Sequence, residues 1–401
     1  MQEQLNTVLI LGVGETLEPL EFALTEHTPQ GVIFIASQRT QVVSAELINR
    51  YRAALRYHTL LLDDHEDLGE VFRKGRLALQ KALEWEARAI VADITGGTKT
   101  MSAGLVLALT GQGVTFSYVG GEARDGQGRV KSGSERLRLL EDPTYRYGLR
   151  EWEGFRRAWN QCDYRAAQEF LDELLARPLT PSEKRFYDHL KGITEGMLEW
   201  DLFYHKAAWQ KLERHLEPAL SIAEAWGHGT KVRVLQELQQ AKARLRAILD
   251  REGKPTFALV ADLLANAQRR ASRGRYDDAL ARLYRAVELA AEADLYERTG
   301  IELRLASTYP DKLQDLAGRK TPGLKEALGL AFEIDTRLGN TGTLAQQLYG
   351  DYSSQLQGLL QQRHSSILAH GVKPVKPEAL KGLQDYLGEK GLEAAPAWPS
   401  W

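Results

Sequence analysis

Two short stretches of this chain combine residue types that could do chemistry on phosphate groups. The first, Asp93–Met101, reads Asp-Ile-Thr-Gly-Gly-Thr-Lys-Thr-Met. It lies between an apolar run at 89–92 and a helix-like run at 102–109. Such a turn offers free backbone N–H groups, hydroxyls and a cation at the start of a helix. That combination predicts an anion site, with phosphate as the expected anion.

The second stretch contains Arg363 and His370, seven positions apart. In a continuous helix both side chains would lie on one face, about 10 Å apart along the axis. Gly371 and Pro374 are helix stop signals, so we expect His370 near a helix C-terminus, where the dipole favours the imidazolium. A poised His beside a permanently charged Arg suits metal-independent phosphodiester cleavage. The same pair could also be a solvated helix face carrying an ordinary structural His.

Known phosphate motifs do not account for the first stretch. Thr98 stands where a P-loop needs Gly before Lys99, and Leu17 replaces the third Gly of a dinucleotide fingerprint that begins at Gly12. ATPase and dehydrogenase functions are therefore disfavoured. The remaining alternative to an anion site is a Gly-rich turn with no ligand.

Composition narrows the class of protein further. The net charge of −2 does not indicate a broad basic surface for nucleic acid, so any nucleic-acid site would have to be a local cleft. The single cysteine, Cys162, excludes a disulfide framework and favours a reducing cytoplasm. The histidines show no zinc spacing, so no metal site is predicted. We expect no leader peptide and no membrane span.

Residues 1–148 read as an α/β domain. Apolar strand-like runs at 7–11, 31–36, 58–62, 87–94 and 114–119 alternate with helix-like segments, and 125–128 reads as a hairpin turn into a last strand. This order predicts a mostly parallel, Rossmann-like sheet. Ligands of such sheets bind beyond the carboxyl ends of the strands, where the loops at 12–16, 37–39 and 95–99 would form one pocket that includes Ser37.

A strand that ends in D-x-T-G-G-T-K-x-M, within a Rossmann-like domain closed by a hairpin, resembles the CRISPR-associated Rossmann fold (CARF). Members of that family dimerise and bind cyclic oligoadenylate across the two-fold axis, with the loops after strands one and four contacting the ring. The resemblance thus implies binding residues in both loops of this chain. They are Gly12, Gly14, Glu15 and Thr16 in the first, and Thr95, Gly96, Gly97, Thr98, Lys99 and Met101 in the fourth.

The rest of the chain has helical periodicity. We expect a helical connecting region at 149–255 and a second helical domain at 256–401, with breaks near 178–181 and 253–255. Residues 159–167 weakly resemble residues 272–279. Each segment contains a helix end, a short turn with Tyr, and the start of a new helix. Two copies do not make a solenoid, so they are interpreted as helical hairpins in neighbouring subdomains.

The stretch around Arg363 resembles the HEPN ribonuclease motif, in which an Arg and a polar residue precede a His by four to six residues. Here His364 is the polar residue, and six residues separate Arg363 from His370. The resemblance implies that Arg363, His364 and His370 are catalytic. Arg285 and Glu288 could reach such a site, but ordinary i,i+3 charge pairing is the favoured explanation for them.

Together the two halves resemble the CARF–HEPN ancillary ribonucleases of type III CRISPR systems. The resemblance implies a homodimeric endoribonuclease that cleaves single-stranded RNA to 2′,3′-cyclic phosphates. Cyclic tetra- or hexa-adenylate would activate it, and no cofactor would be needed. Two alternatives stay open: a sensor whose helical domain contacts a partner without cleaving RNA, and a CARF domain that also degrades its activator.

Overall fold

The computed structural model describes residues 6–51, 55–123, 133–251, 253–321, 323–360, 366 and 372–401. The chain forms two compact units. The first comprises Met1–Arg150 with Arg177–Leu179, and the second comprises Glu151–Ala176 with Thr180–Trp401.

The first unit is a six-stranded sheet with helices on both faces. The strands lie in the order β3-β2-β1-β4-β5-β6, and all neighbouring pairs are parallel except β5 with β6. Its elements are β1 Thr7–Gly12, α1 Glu18–His27, β2 Gly31–Ser37, α2 Gln41–Tyr51, β3 Arg56–Leu62, α3 Leu68–Glu84, β4 Ala89–Asp93, α4 Lys99–Leu109, β5 Thr115–Gly121, β6 Glu135–Leu140 and α5 Pro143–Arg146.

Strand β1 is buried on both faces of the sheet. Its side chains alternate between two apolar cores, with Val8 and Ile10 packed on the side of α3 and α4 and Leu9 and Leu11 on the side of α1 and α2. A strand buried on both faces reads as a continuous apolar run. The predicted Rossmann-like α/β fold is therefore confirmed, including the antiparallel last strand. The predicted turn at 125–128 lies outside the described residues.

The second unit is helical throughout its described part, apart from one isolated bridge, as the periodicity predicts. A π-helical turn, Tyr352–Leu356, follows its ninth helix. The helices are α6 Leu149–Asn160, α7 Tyr164–Leu175, α8 Pro181–Asp201, α9 His205–Ala225, α10 Gly229–Leu249, α11 Phe257–Ser272, α12 Tyr276–Thr299, α13 Leu324–Leu338, α14 Leu344–Asp351 and, last, α15 Pro377–Glu389.

Among the described residues, no helix combines the length and the apolar character that crossing a bilayer would require.

Candidate functional site

The loops after β1 and β4 interlock at the carboxyl edge of the sheet. A Cβ added to Gly96 would lie 2.2 Å from the carbonyl oxygen of Gly12, and one added to Gly14 would lie 2.8 Å from the backbone nitrogen of Gly97. Two backbones approach this closely only where side chains are absent. The structure thus brings together the two loops that the sequence predicts to form one site.

Gly97 and Thr98 shape the start of α4. Gly97 has φ +86°, a conformation that glycine adopts without strain. The hydroxyl of Thr98 caps the helix by accepting a hydrogen bond of 3.2 Å from the N–H of Met101. It also donates to the carbonyl of His65, in the loop after β3, at 3.1 Å. The Thr98 hydroxyl is therefore occupied by the fold.

Lys99 is the first residue of α4, and it is exposed. No carboxylate of the described residues lies within 4.0 Å of its ammonium group. The helix dipole adds partial positive charge at the same end of α4. The glycine-lined loop, the helix N-terminus and a lysine with no ion-pair partner among the described residues therefore concentrate positive charge at this edge, within a protein of net charge −2.

A network of hydrogen-bonded polar side chains lies beneath this loop. Asp93 is fully buried, accepts hydrogen bonds from the N–H of Thr95 at 3.0 Å and from the hydroxyl of Ser117 at 2.8 Å, and burial raises its pKa. Ser117 also bonds the ring of His27 at 3.0 Å, and burial lowers the pKa of that His. The Thr95 hydroxyl accepts from the N–H of Val119 at 2.7 Å. These hydrogen bonds hold the start of the loop after β4 in place.

The loop after β2 contributes a cation, Arg39, that was not predicted as a site residue. Arg39 pairs with Glu15 at 2.7 Å, and both side chains are exposed. The pair links the loops after β1 and β2, with Thr16 exposed beside it. Arg39 lies in the segment 37–39, directly after a predicted strand. That position at the carboxyl end of a strand was the sequence signal that could have identified it.

Two of the residues predicted to bind the ligand, Met101 and Ser37, are buried in this structure. Met101 is 1 % exposed and packs in the core beneath Gly97, because α4 turns this side of its first turn toward the sheet. Ser37 is also buried, and its hydroxyl bonds that of Thr40 at 3.1 Å. Both residues support the loops from inside.

The three predicted catalytic residues, Arg363, His364 and His370, lie outside the described residues. Between them Ser366 is described. It is buried and forms an isolated parallel bridge with Lys373. The expectation of uninterrupted helix through this position is therefore wrong at Ser366, where the backbone pairs with a neighbouring segment.

Described elements on either side of this stretch are tied to one another. Asp351, the last residue of α14, accepts a hydrogen bond of 3.0 Å from the Tyr386 hydroxyl on α15. Lys390, just past α15, pairs with the same carboxylate at 2.7 Å. These bonds lower the pKa of Asp351 and fix the separation of the two helices.

Arg285 and Glu288 form the i,i+3 pair that the sequence suggests, at 3.1 Å. Arg285 also pairs with Glu292 at 2.9 Å, and Arg304 contacts both glutamates. Both glutamates are buried. Each of these charges has a partner, so the cluster braces α12. Within the described part of the chain no group of three His, Cys, Asp or Glu side chains could hold a metal ion.

Comparison with known domain families identifies both helical regions. The Csm6 6H domain matches residues 147–241, and the Csm6 HEPN domain matches residues 248–390. These matches together span more than half of the chain, and they follow a Rossmann-like α/β unit. The chain belongs to the CARF–HEPN ancillary family of the Csm6 type. No curated protein sequence matches it significantly.

Three solved structures show limited similarity. Csm6 of Enterococcus italicus, bound to cyclic hexa-2′-fluoro-hexa-dAMP, aligns with 96 % of this chain and 93 % of its own at 9 % identity and a TM-score of 0.48. A type III CRISPR defence DNA nuclease activated by cyclic oligoadenylate aligns with 48 % of this chain and 35 % of its own, at 20 % identity and a TM-score of 0.28. Can2 from Sulfobacillus thermosulfidooxidans in complex with cyclic tetra-adenylate aligns with 51 % of this chain and 68 % of its own, at 12 % identity and a TM-score of 0.27. The family assignment does not depend on these alignments.

Proposed function

We propose that this protein is a metal-independent endoribonuclease of type III CRISPR defence, activated by cyclic oligoadenylate and acting in the cytoplasm on single-stranded RNA. One observation carries the proposal. The interlocked glycine loops and the exposed Lys99 lie at one sheet edge, in the same chain as a Csm6 HEPN domain whose match includes Arg363 and His370.

Sensing would take place at the carboxyl edge of the sheet. The close approach of Gly12 and Gly96 holds the two loops together, and Gly97 next to them is exposed, so a phosphate could reach its backbone. The first N–H groups of α4 and the ammonium group of Lys99 would bind the phosphates of the ring. Glu15 and Thr16 are exposed at the same edge and would contact the nucleosides.

Catalysis would take place in the HEPN domain. His370 would take a proton from the attacking ribose 2′-hydroxyl or give one to the leaving 5′-oxygen. Arg363 would stabilise the charge that gathers around phosphorus in the transition state, with His364 as the polar neighbour. Attack by the 2′-hydroxyl breaks the bond between phosphorus and the 5′-oxygen. The products are then a 2′,3′-cyclic phosphate and a 5′-hydroxyl.

A ring ligand with two-fold symmetry calls for two copies of the sensing surface. We therefore propose a C₂ homodimer in which each protomer supplies half of the activator site and one Arg363 and His370 to a composite cleft. Activator would bind the cleavage-competent arrangement more tightly than the resting one and so shift the population toward it.

The test is to incubate the purified protein with end-labelled single-stranded RNA in EDTA, with cyclic tetra-adenylate, cyclic hexa-adenylate or no activator. One of the rings should stimulate cleavage, and the products should carry 2′,3′-cyclic phosphates. A strict requirement for Mg²⁺ or Mn²⁺ would contradict the mechanism. Binding of a ring without any cleavage would instead identify a non-catalytic sensor.

A further inference from the structure

A cavity of about 440 Å³ in the second unit is lined by none of the residues proposed above for sensing or catalysis. Its wall comes from the turn before α7, the last turn of α8, the end of α11 and the start of α12. Arginines and aspartates dominate it. The lining residues are Cys162, Asp163, Tyr164, Arg165, Leu198, Asp201, Leu202, Arg270, Arg273, Arg275, Asp278 and Arg282.

The turns of the two similar segments, 159–167 and 272–279, meet at this cavity. With Tyr164 aligned on Tyr276, Cys162 corresponds to Gly274, and both have left-handed backbone, with φ 55° and 71°. Each turn also closes with the same pair of backbone hydrogen bonds to the preceding helix. The turns are joined directly, because Arg273 donates to the carbonyl of Cys162 at 3.1 Å.

The buried charges of the wall are not balanced. Asp201 bonds Arg270 at 2.6 Å and also Arg269 at 2.9 Å, so one buried carboxylate faces two buried guanidinium groups. Arg270 is 5 % exposed, and its Nε forms no hydrogen bond with any described residue, although the Asp278 carboxylate lies 3.4 Å away. Burial, with the neighbouring charge of Arg282, lowers the pKa of Arg270. A buried N–H donor without an acceptor is costly, and an acceptor oxygen of a ligand in the cavity would remove that cost.

Two further cations stand at the rim without partners. Arg165 and Arg275 are both exposed, and neither makes an ion pair with any described residue. By contrast, Arg273 and Arg282 are held by Asp163 and Asp278. Five arginines face three aspartates across the lining, which leaves a surplus of two positive charges.

We infer that this cavity binds a phosphate monoester, carried by a free nucleotide or by the 5′-phosphorylated end of an RNA. A monoester has a charge of about −1.5 to −2 at neutral pH, which matches the surplus in the wall, whereas a phosphodiester carries one charge. Guanidinium groups bind phosphate oxygens through paired hydrogen bonds. The volume lies within the usual range of small-molecule sites.

Cys162 allows a direct test, because it is the only cysteine of the chain and it lines the cavity. The rate of its alkylation by iodoacetamide is followed by intact mass at mildly alkaline pH, since burial raises the pKa of its thiol. AMP should slow alkylation several-fold, whereas adenosine should not. A 5′-phosphorylated RNA hexamer is compared with its 5′-hydroxyl form, so protection by AMP or by the phosphorylated RNA identifies the source.

The variants Arg165→Gln and Arg275→Gln should each raise the AMP concentration needed for protection by about tenfold, the effect of losing one charge-assisted contact. Neither side chain takes part in a structural ion pair, so the melting temperature should stay unchanged. Arg185→Gln is the matched control. This exposed residue lies on α8, about 24 Å along the helix from Asp201.

Equal protection by adenosine, protection that survives in both rim variants, or no protection by any phosphorylated probe would each overturn the inference. None of these readouts requires RNA cleavage, so the result is independent of the proposed function.

Discussion

At the scale of single residues, the loops at the carboxyl edge of the sheet contain polar side chains of two kinds. Lys99 is exposed without an ion-pair partner among the described residues, whereas Thr98, Ser37 and Asp93 are all bonded internally. Within one motif, a residue that is available to bind a ligand can be adjacent to a residue whose side chain stabilises the loop. Sequence spacing alone does not separate them.

Replacing Lys99 with Ala should weaken binding of the cyclic oligoadenylate by about tenfold or more, because a charge-assisted contact to phosphate is lost. Calorimetry with the ring ligand measures the effect. Lys81→Ala is the control, since Lys81 lies in the last turn of α3 and pairs with Glu84. Wild-type affinity in Lys99→Ala would place the ligand elsewhere.

Arg363→Ala and His370→Ala should each lower activator-stimulated RNA cleavage by about 10²-fold or more, the usual effect of losing a positioned acid–base group or a charge-stabilising group. Initial rates on end-labelled RNA give the measurement. Binding of the cyclic ligand should be unchanged in both variants. Full activity in either one would remove that residue from the catalytic group.

At the scale of elements, the glycine contacts between the loops after β1 and β4 hold the site in shape. The strands, the helices and the meeting of the two loops at one edge of the sheet were predictable, because apolar runs and turn residues are local signals. The bond from Thr98 to the His65 carbonyl and the chain from His27 through Ser117 to Asp93 were not predictable. They join residues that are distant in sequence and close only after folding.

Gly96→Ala should disrupt this interlock. Its Cβ would lie 2.2 Å from the Gly12 carbonyl oxygen, so the backbone must move, at a cost of about 1–3 kcal/mol as in other overpacked sites. Thermal unfolding and ligand titration should both report the change. Gly388→Ala is the control, since a Cβ on that exposed helical glycine would meet nothing within 4 Å. Unchanged binding in Gly96→Ala would show that the interlock is not needed for sensing.

The packing of α8 on α9 should give the second unit a pH-dependent stability. His189 and His215 lie with their Nδ1 atoms 3.1 Å apart, and burial lowers both pKa values from the ordinary 6.5. Because the unfolded chain binds protons more readily than the folded one, stability should decrease as the pH falls below about 6.5.

Tryptophan fluorescence follows this transition selectively, because seven of the eight tryptophans lie in the second unit. The melting temperature of the wild type should fall between about pH 7 and pH 5, and His215→Gln should reduce that fall. An identical pH profile in the variant would rule out the histidine pair as its source.

At the scale of the whole molecule, the symmetry of the activator predicts a dimer that exists before ligand arrives, because a population shift needs both arrangements in one assembly. Light scattering should give twice the mass of the 45.0 kDa chain with and without the ring. If the working Arg and His come from different protomers, mixing Arg363→Ala with His370→Ala subunits should restore part of the activity. A monomer under both conditions would contradict the shared sites.

The most direct test of coupling between sensing and catalysis is the activator dependence of RNA cleavage in EDTA for the wild type, Lys99→Ala and Arg363→Ala. Lys99→Ala should need about tenfold more cyclic oligoadenylate to reach the wild-type maximal rate. Arg363→Ala should bind activator normally and reach a maximal rate lower by about 10²-fold or more. Cleavage by the wild type that does not depend on activator, or a Lys99→Ala titration that coincides with the wild type, would contradict the proposed coupling.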